Sequence, residues 1–216
     1  MRRKTFDMIM SGGGAVLVVV LLVAGGLGLW AYSFANSNVH NQLAEQQITF
    51  PARAAFAQAK VGTEIEPVMI PYIEKYAGEP LTTGQQAEAY ADHFIAYHLA
   101  EMPYGGVYST VSAASMAATK AAAADPSNAA LATKATTLAA EVQTSFRGTT
   151  LRGLLLEAYA FWTFGQIALW ASIACFVLAG IMLVLTLFGL LHFRRTPEDK
   201  EFPQLHQSEP KVLETV

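Results

Sequence analysis

The stretch Ile167-Ala-Leu-Trp-Ala-Ser-Ile-Ala-Cys-Phe-Val-Leu-Ala-Gly-Ile-Met-Leu-Val-Leu-Thr-Leu-Phe-Gly-Leu-Leu191 contains no charged side chain, and Arg194 and Arg195 follow it. A hydrocarbon core about 30 Å thick requires roughly 20 apolar residues in a helix, so this run is long enough to span a bilayer. The apolar segment is wider than this core and extends from Ala158 to Phe193. An uninterrupted helix of that length would reach about 54 Å and overshoot the hydrocarbon. Tyr159, Phe161, Trp162 and Phe164 are therefore expected at the outer interface, where aromatic rings favour the headgroup level.

A second run lies near the other end. After Met1-Arg-Arg-Lys4 the chain is uncharged from Met8 to Glu45 and includes Ala15-Val-Leu-Val-Val-Val-Leu-Leu-Val-Ala24. Trp30, Tyr32 and Phe34 form an aromatic belt behind it. A cleavable leader is the competing reading, because Ser33-Phe34-Ala35 has the small-x-small form of a cleavage site. The length of the run and its flanking aromatics fit an anchor better. Arg2, Arg3 and Lys4 at one end and Arg194 and Arg195 at the other satisfy the positive-inside rule for both spans. The expected organisation is a cytoplasmic N-terminus (1–7), a first span (8–34), an extracytoplasmic helical domain (35–157), a second span with an interfacial extension (158–193) and a disordered cytoplasmic tail (194–216). The expected location is the plasma membrane, with both termini cytoplasmic.

Composition narrows the function. Charged residues make up 14% of the 216, against roughly 25% in soluble domains. The net charge is −3, which argues against a nucleic-acid partner. The chain has one cysteine, Cys175, so no intramolecular disulfide can form, and the middle domain must hold together by packing.

Between the spans the sequence predicts an all-α domain, because no period-two alternation is sustained. Asn36, Ser37 and Asn38 could cap a helix running toward Thr49, and Phe50-Pro51 marks a kink or a new start. Pro67 and Pro71 limit residues 64–76 to short turns. Thr82 or Thr83 can cap the clearest helix, 85–101, on which Ala87, Tyr90, Ala91, Phe94, Tyr97 and His98 recur at three-and-four spacing. An alanine-rich helix over 107–124 follows. Asp125-Pro126 breaks it, and from Ser127 a helix can run through Phe146 into the second span, with Gly148 and Gly153 as its weak points.

The candidate chemistry is thin. Glu88, Asp92, His93, His98 and Glu101 lie on the central helix, where Glu88/Asp92 and His98/Glu101 share faces. At 100° per residue, Asp92 and His98 are about 240° apart, so the two couples face different ways. Solvated carboxylates and half-buried histidines are the favoured reading, with no metal and no cofactor. Gly12-Gly13-Gly14 lacks the Lys-Ser/Thr of a phosphate loop. Gly25 and Gly28 in the first span, and Gly148 and Gly153 before the second, are expected to allow close helix approach. Arg147 and Arg152, with Trp162 and Trp30, are expected to contact lipid or the interface. Arg152 alternatively pairs with Glu157 or with an acid of the outer domain.

Through Phe146-Arg-Gly-Thr-Thr-Leu-Arg-Gly-Leu-Leu-Leu-Glu-Ala-Tyr-Ala-Phe-Trp162 and Gly84-Gln-Gln-Ala-Glu-Ala-Tyr-Ala-Asp92 the chain resembles a family of small two-span actinobacterial membrane proteins described as hypothetical. The resemblance runs from the first span through the second and does not cover the tail. Some members carry the label of an aromatic-ring-opening dioxygenase. The scattered His40, His93, His98, His192 and His206 do not supply the His-rich pocket that such an iron site needs. The expectation is a non-enzymatic accessory, scaffold or assembly subunit of the cell envelope, whose partners are the lipid bilayer and other membrane proteins or itself. The alternative is a ligand-sensing input protein laid out like a chemoreceptor outer domain, signalling through a partner.

Overall fold

Every proline among the described residues lies between Pro51 and Pro126, and helix length follows from that. Proline lacks the backbone donor and closes off helix interiors, so the long helices flank this interval and the short ones lie inside it. The computed structural model describes residues 3–195. It contains α1 (Arg3–Glu45), α2 (Arg53–Phe56), α3 (Ile70–Ile73), α4 (Gly84–Tyr90), α5 (Ala96–Glu101), α6 (Tyr108–Ala124) and α7 (Ala129–Arg195). A wide π-type turn, Ala91–Ile95, joins α4 to α5. Among the described residues no strand forms beyond an isolated antiparallel bridge between Thr49 and Pro80.

Several local expectations are revised. Asn36, Ser37 and Asn38 cap nothing, because α1 runs through them to Glu45. The central helix is interrupted by the π turn, which the even three-and-four spacing did not signal. Asn128, not Ser127, caps α7: its Oδ1 accepts from the Ala130 and Leu131 amides at 3.2 and 3.3 Å. The Ser127 hydroxyl donates instead to Asp125. Thr83 caps α4 in a reciprocal box with Gln86. The tail from Thr196, with Phe202 and Leu205, lies outside the described residues.

The chain forms two compact units. One comprises the residues up to Leu29 and from Leu169 on; the other is Trp30–Ala168.

In the first unit, α1 and α7 pair antiparallel along a narrow seam. Ser11, Gly14, Val18 and Gly25 are buried on α1, with Leu21 and Gly28 half-buried between and beyond them. Ser172, Ala179 and Thr186 are buried on α7, with Cys175, Met182 and Gly189 half-buried. Both sets alternate steps of three and four, the spacing of helices packed at a shallow left-handed crossing. The Ser172 hydroxyl donates to the Gly25 carbonyl at 2.6 Å. A methyl group at Gly25 would lie 2.8 Å from the Phe176 ring, so only glycine permits this approach. The large side chains point the other way: Val16, Leu27, Ile181 and Phe188 are each more than half exposed.

The second unit holds the hydrophobic core. Val39 and Leu43 of α1, Phe50, Met69, Ile73, Leu81 and Leu155 of α7 are almost fully buried. Phe50 is fixed by its amide donating to Glu79 O at 2.9 Å, and by edge packing on Tyr90 with ring centroids 5.4 Å apart. Gly84 opens α4 directly against the Trp162 ring, where a side chain would collide. Beyond this core, α6 and α7 form an antiparallel arm. Its buried face carries Val111, Ser115 and Ala118 on α6 and Leu138 and Ser145 on α7. The Ser145 hydroxyl donates to the Gly106 carbonyl at 2.5 Å.

Candidate functional site

The segment Ile65-Glu66-Pro67-Val68-Met69 places one carboxylate in an apolar run, and Glu66 is only 2% exposed. Such a burial is tolerated only if the oxygens are satisfied. The turn before it does this: Gly62 adopts φ +81°, a backbone state costly for other residues, and its N–H donates to Glu66 Oε1 at 2.6 Å. From the other side, the Tyr97 hydroxyl donates to Oε2 at 2.8 Å. Glu101 lies one turn further along α5, where its charge and that of Glu66 act on one another.

The two acids are thereby driven apart. The Gly62 amide and then the Tyr97 hydroxyl hold the Glu66 carboxyl below the usual carboxylate range. Desolvation and then the nearby Glu66 carboxylate, with its repelling charge, push Glu101 up. The bond to Glu66 also raises the Tyr97 phenol. Glu101 is therefore the member that takes up a proton first. Beside them, His98 Nδ1 lies 2.7 Å from Phe94 O; a carbonyl only accepts, so Nδ1 donates and Nε2 faces away from that bond.

The remaining central-helix groups are engaged elsewhere. Asp92 Oδ1 accepts from Arg152 Nη2 at 2.6 Å, and the His93 ring stacks on Tyr72 with centroids 3.6 Å apart. Both residues lie on the π turn, whose wider step separates their directions from those of an ordinary helix. Among the described residues no three His, Cys, Asp or Glu side chains converge as a metal site would require. Glu66 has donors on both oxygens, so little of its capacity is left for a substrate. Chemically, Glu66 latches the 62–66 turn to α5 through the Tyr97 hydroxyl.

The interface residues named from sequence are distributed as follows. Arg152 is held by Asp92, while Arg147 is exposed. Trp162 packs against the core and stacks with Tyr159 at 6.2 Å. Trp30 is 66% exposed and stacks on Phe34 at 5.7 Å. A side chain at Gly148 would meet Leu99 at 2.7 Å, whereas one at Gly153 would meet nothing. Glu66 was missed by sequence reasoning. The available signal was a lone acid among Ile65, Pro67, Val68 and Met69, four residues after a glycine.

The fold and site thus define a helical protein with two helices long and apolar enough to cross a membrane and a helical core unit. No family model matches the chain, and no curated protein or solved structure matches it either.

Proposed function

We propose that this is a two-span membrane protein of the bacterial cell envelope, with both termini cytoplasmic and the domain between its spans outside. On this reading it acts without catalysis, as an accessory or assembly subunit. The observation that carries the proposal is the α6–α7 arm. It stands apart from the hydrophobic core, and it shows Val107, Tyr108, Met116 and Phe146 at 54, 44, 66 and 53% exposure, with the Tyr108 and Phe146 rings 5.7 Å apart. Exposed aromatic pairs of this kind suit contact with another protein, including a second copy of this chain.

Membrane residence is supported by the first unit, whose small and hydroxyl-bearing residues face the helix seam while its large apolar ones face outward. Water would favour the reverse; lipid favours this arrangement, since packing of small residues drives helix association there. The test is purification in mild detergent followed by native mass spectrometry. A stoichiometric assembly is expected, and it should be lost in a Tyr108→Asp/Phe146→Asp variant that keeps its helicity. A single chain with no associate in the unmodified protein would refute the proposal.

A further inference from the structure

A cleft of about 670 Å³ lies in the core unit between the α1 segment 34–46 and the α7 segment 151–164. Its size is that of a small-molecule site, which typically falls in the range of about 300–1,000 Å³. Its lining is divided along its length. Phe34, Phe161 and Phe164 supply an apolar end, and all three are substantially exposed, so that end is open. Toward the other end Asn38, Gln42, Glu45, Gln46 and Glu157 supply polar groups beside Leu151, Leu154 and Leu155, and Gln42, Glu45, Gln46 and Glu157 are exposed as well.

The polar end has one sign. Two carboxylates line it, and no lysine, arginine or histidine does. The C-terminus of α1 ends there as well, at Glu45, with no basic residue in its last turn. The partial negative charge of that terminus adds to the carboxylates and favours a cation. The side-chain amides of Asn38, Gln42 and Gln46 add acceptor oxygens, and Gln42 Nε2 donates to Asn38 Oδ1 at 2.9 Å. An ammonium group presents three donors and no acceptor, and so complements this set. A carboxylate or phosphate head would meet repulsion without a balancing base.

We propose that the cleft binds a single-chain amphiphile with an ammonium head, drawn from the membrane, with its chain along Phe34, Phe161 and Phe164 and its head between Glu45 and Glu157. This rests on the membrane residence proposed above. The full chain, reconstituted in phosphatidylcholine vesicles at pH 7, is irradiated with a hexadecylamine carrying a diazirine in its chain, and in parallel with the matching diazirine fatty acid. Labelled positions are mapped by mass spectrometry.

The amine probe should label residues 34–46 and 151–164 about tenfold more than the acid, as expected if one or two charge-assisted hydrogen bonds discriminate between the heads. A Glu45→Gln/Glu157→Gln variant should remove the preference, and Ala160→Trp should block labelling by filling the apolar end. Equal labelling by amine and acid, or a preference that survives the double substitution, overturns the inference. Flotation of the same vesicles separates the two readings. Protein that floats but is not labelled in the cleft defeats this inference alone, whereas protein left in the aqueous fraction defeats membrane residence and the inference with it.

Discussion

Arg152 of α7 and Asp92 of the π turn lie 60 positions apart in sequence and meet at 2.6 Å between Nη2 and Oδ1. The pair ties the mid-domain helix to the long C-terminal one. Neither side chain is fully buried, at 39% and 34% exposure, so solvent screens the attraction. A double-mutant cycle with Asp92→Asn and Arg152→Gln should give a coupling of about 1 kcal/mol, falling in high salt. No coupling in chemical denaturation would mean that the contact is not held in solution.

The Glu66–Glu101 couple makes stability depend on pH in two directions. Glu66, with its folded pKa lowered, contributes stability that is present above its ordinary value and lost as pH falls through the folded value. Glu101, with its folded pKa raised, favours its protonated form, and that contribution is lost as pH rises through its own folded value. Glu101→Gln imitates the protonated acid and removes the charge that repels Glu66. Its melting temperature should exceed that of the unmodified protein at pH 8 and match it near pH 4.5. A Glu101→Gln variant that is less stable at pH 8 would contradict the repulsion between the two carboxylates.

Gly84 sits so close to Trp162 that a side chain there must displace the indole. Gly84→Val should cost about 1–3 kcal/mol as an overpacked contact. Thermal melting followed by Trp fluorescence would show a lowered transition with a perturbed emission. An unchanged transition would mean that the helix and the ring can part at no cost.

Gly25→Leu should separate the α1–α7 seam by driving into Phe176, and Ser172→Ala should weaken it by less, because one hydrogen bond within membrane helices averages about 0.6 kcal/mol. Disulfide trapping between cysteines introduced at Val18 and Ala179, in a Cys175→Ala background, reads the approach. Cross-linking that Gly25→Leu leaves undiminished would contradict the seam.

Topology has a direct test. In a Cys175→Ala background, cysteines at Ser127 and Ser208 are exposed to an impermeant maleimide in intact cells. Labelling is expected at 127 and absent at 208 until the membrane is opened. Labelling at both positions, or only at 208, would reverse or abolish the proposed orientation.

The helical character, the break at Asp125-Pro126, a cap at Thr82 or Thr83 and a helix able to run from the arm toward the long apolar stretch were legible because proline, capping residues and apolar runs act locally; the structure chooses Thr83 and carries α7 through Gly148 and Gly153. The seam was not. Within a uniformly apolar stretch, hydropathy has no period, and Ser11, Gly14, Gly25, Ser172 and Thr186 are buried because they are small, not because they are hydrophobic. Glu66 was invisible for the opposite reason: a carboxylate reads as surface until the amide and the phenol that satisfy it come from residues 62 and 97.

Sequence by itself determined where helices run and where they stop, because backbone donors, prolines and the length of apolar runs are properties of neighbouring residues. It also restricted the chemistry by supplying one cysteine and five scattered histidines. Tertiary structure alone decided that Asp92 faces Arg152, that Glu66 and Glu101 share a site, and that Glu45 and Glu157 line one cleft. Each of these depends on contacts between distant segments, whose charges and volumes act only at the few ångströms that folding brings about.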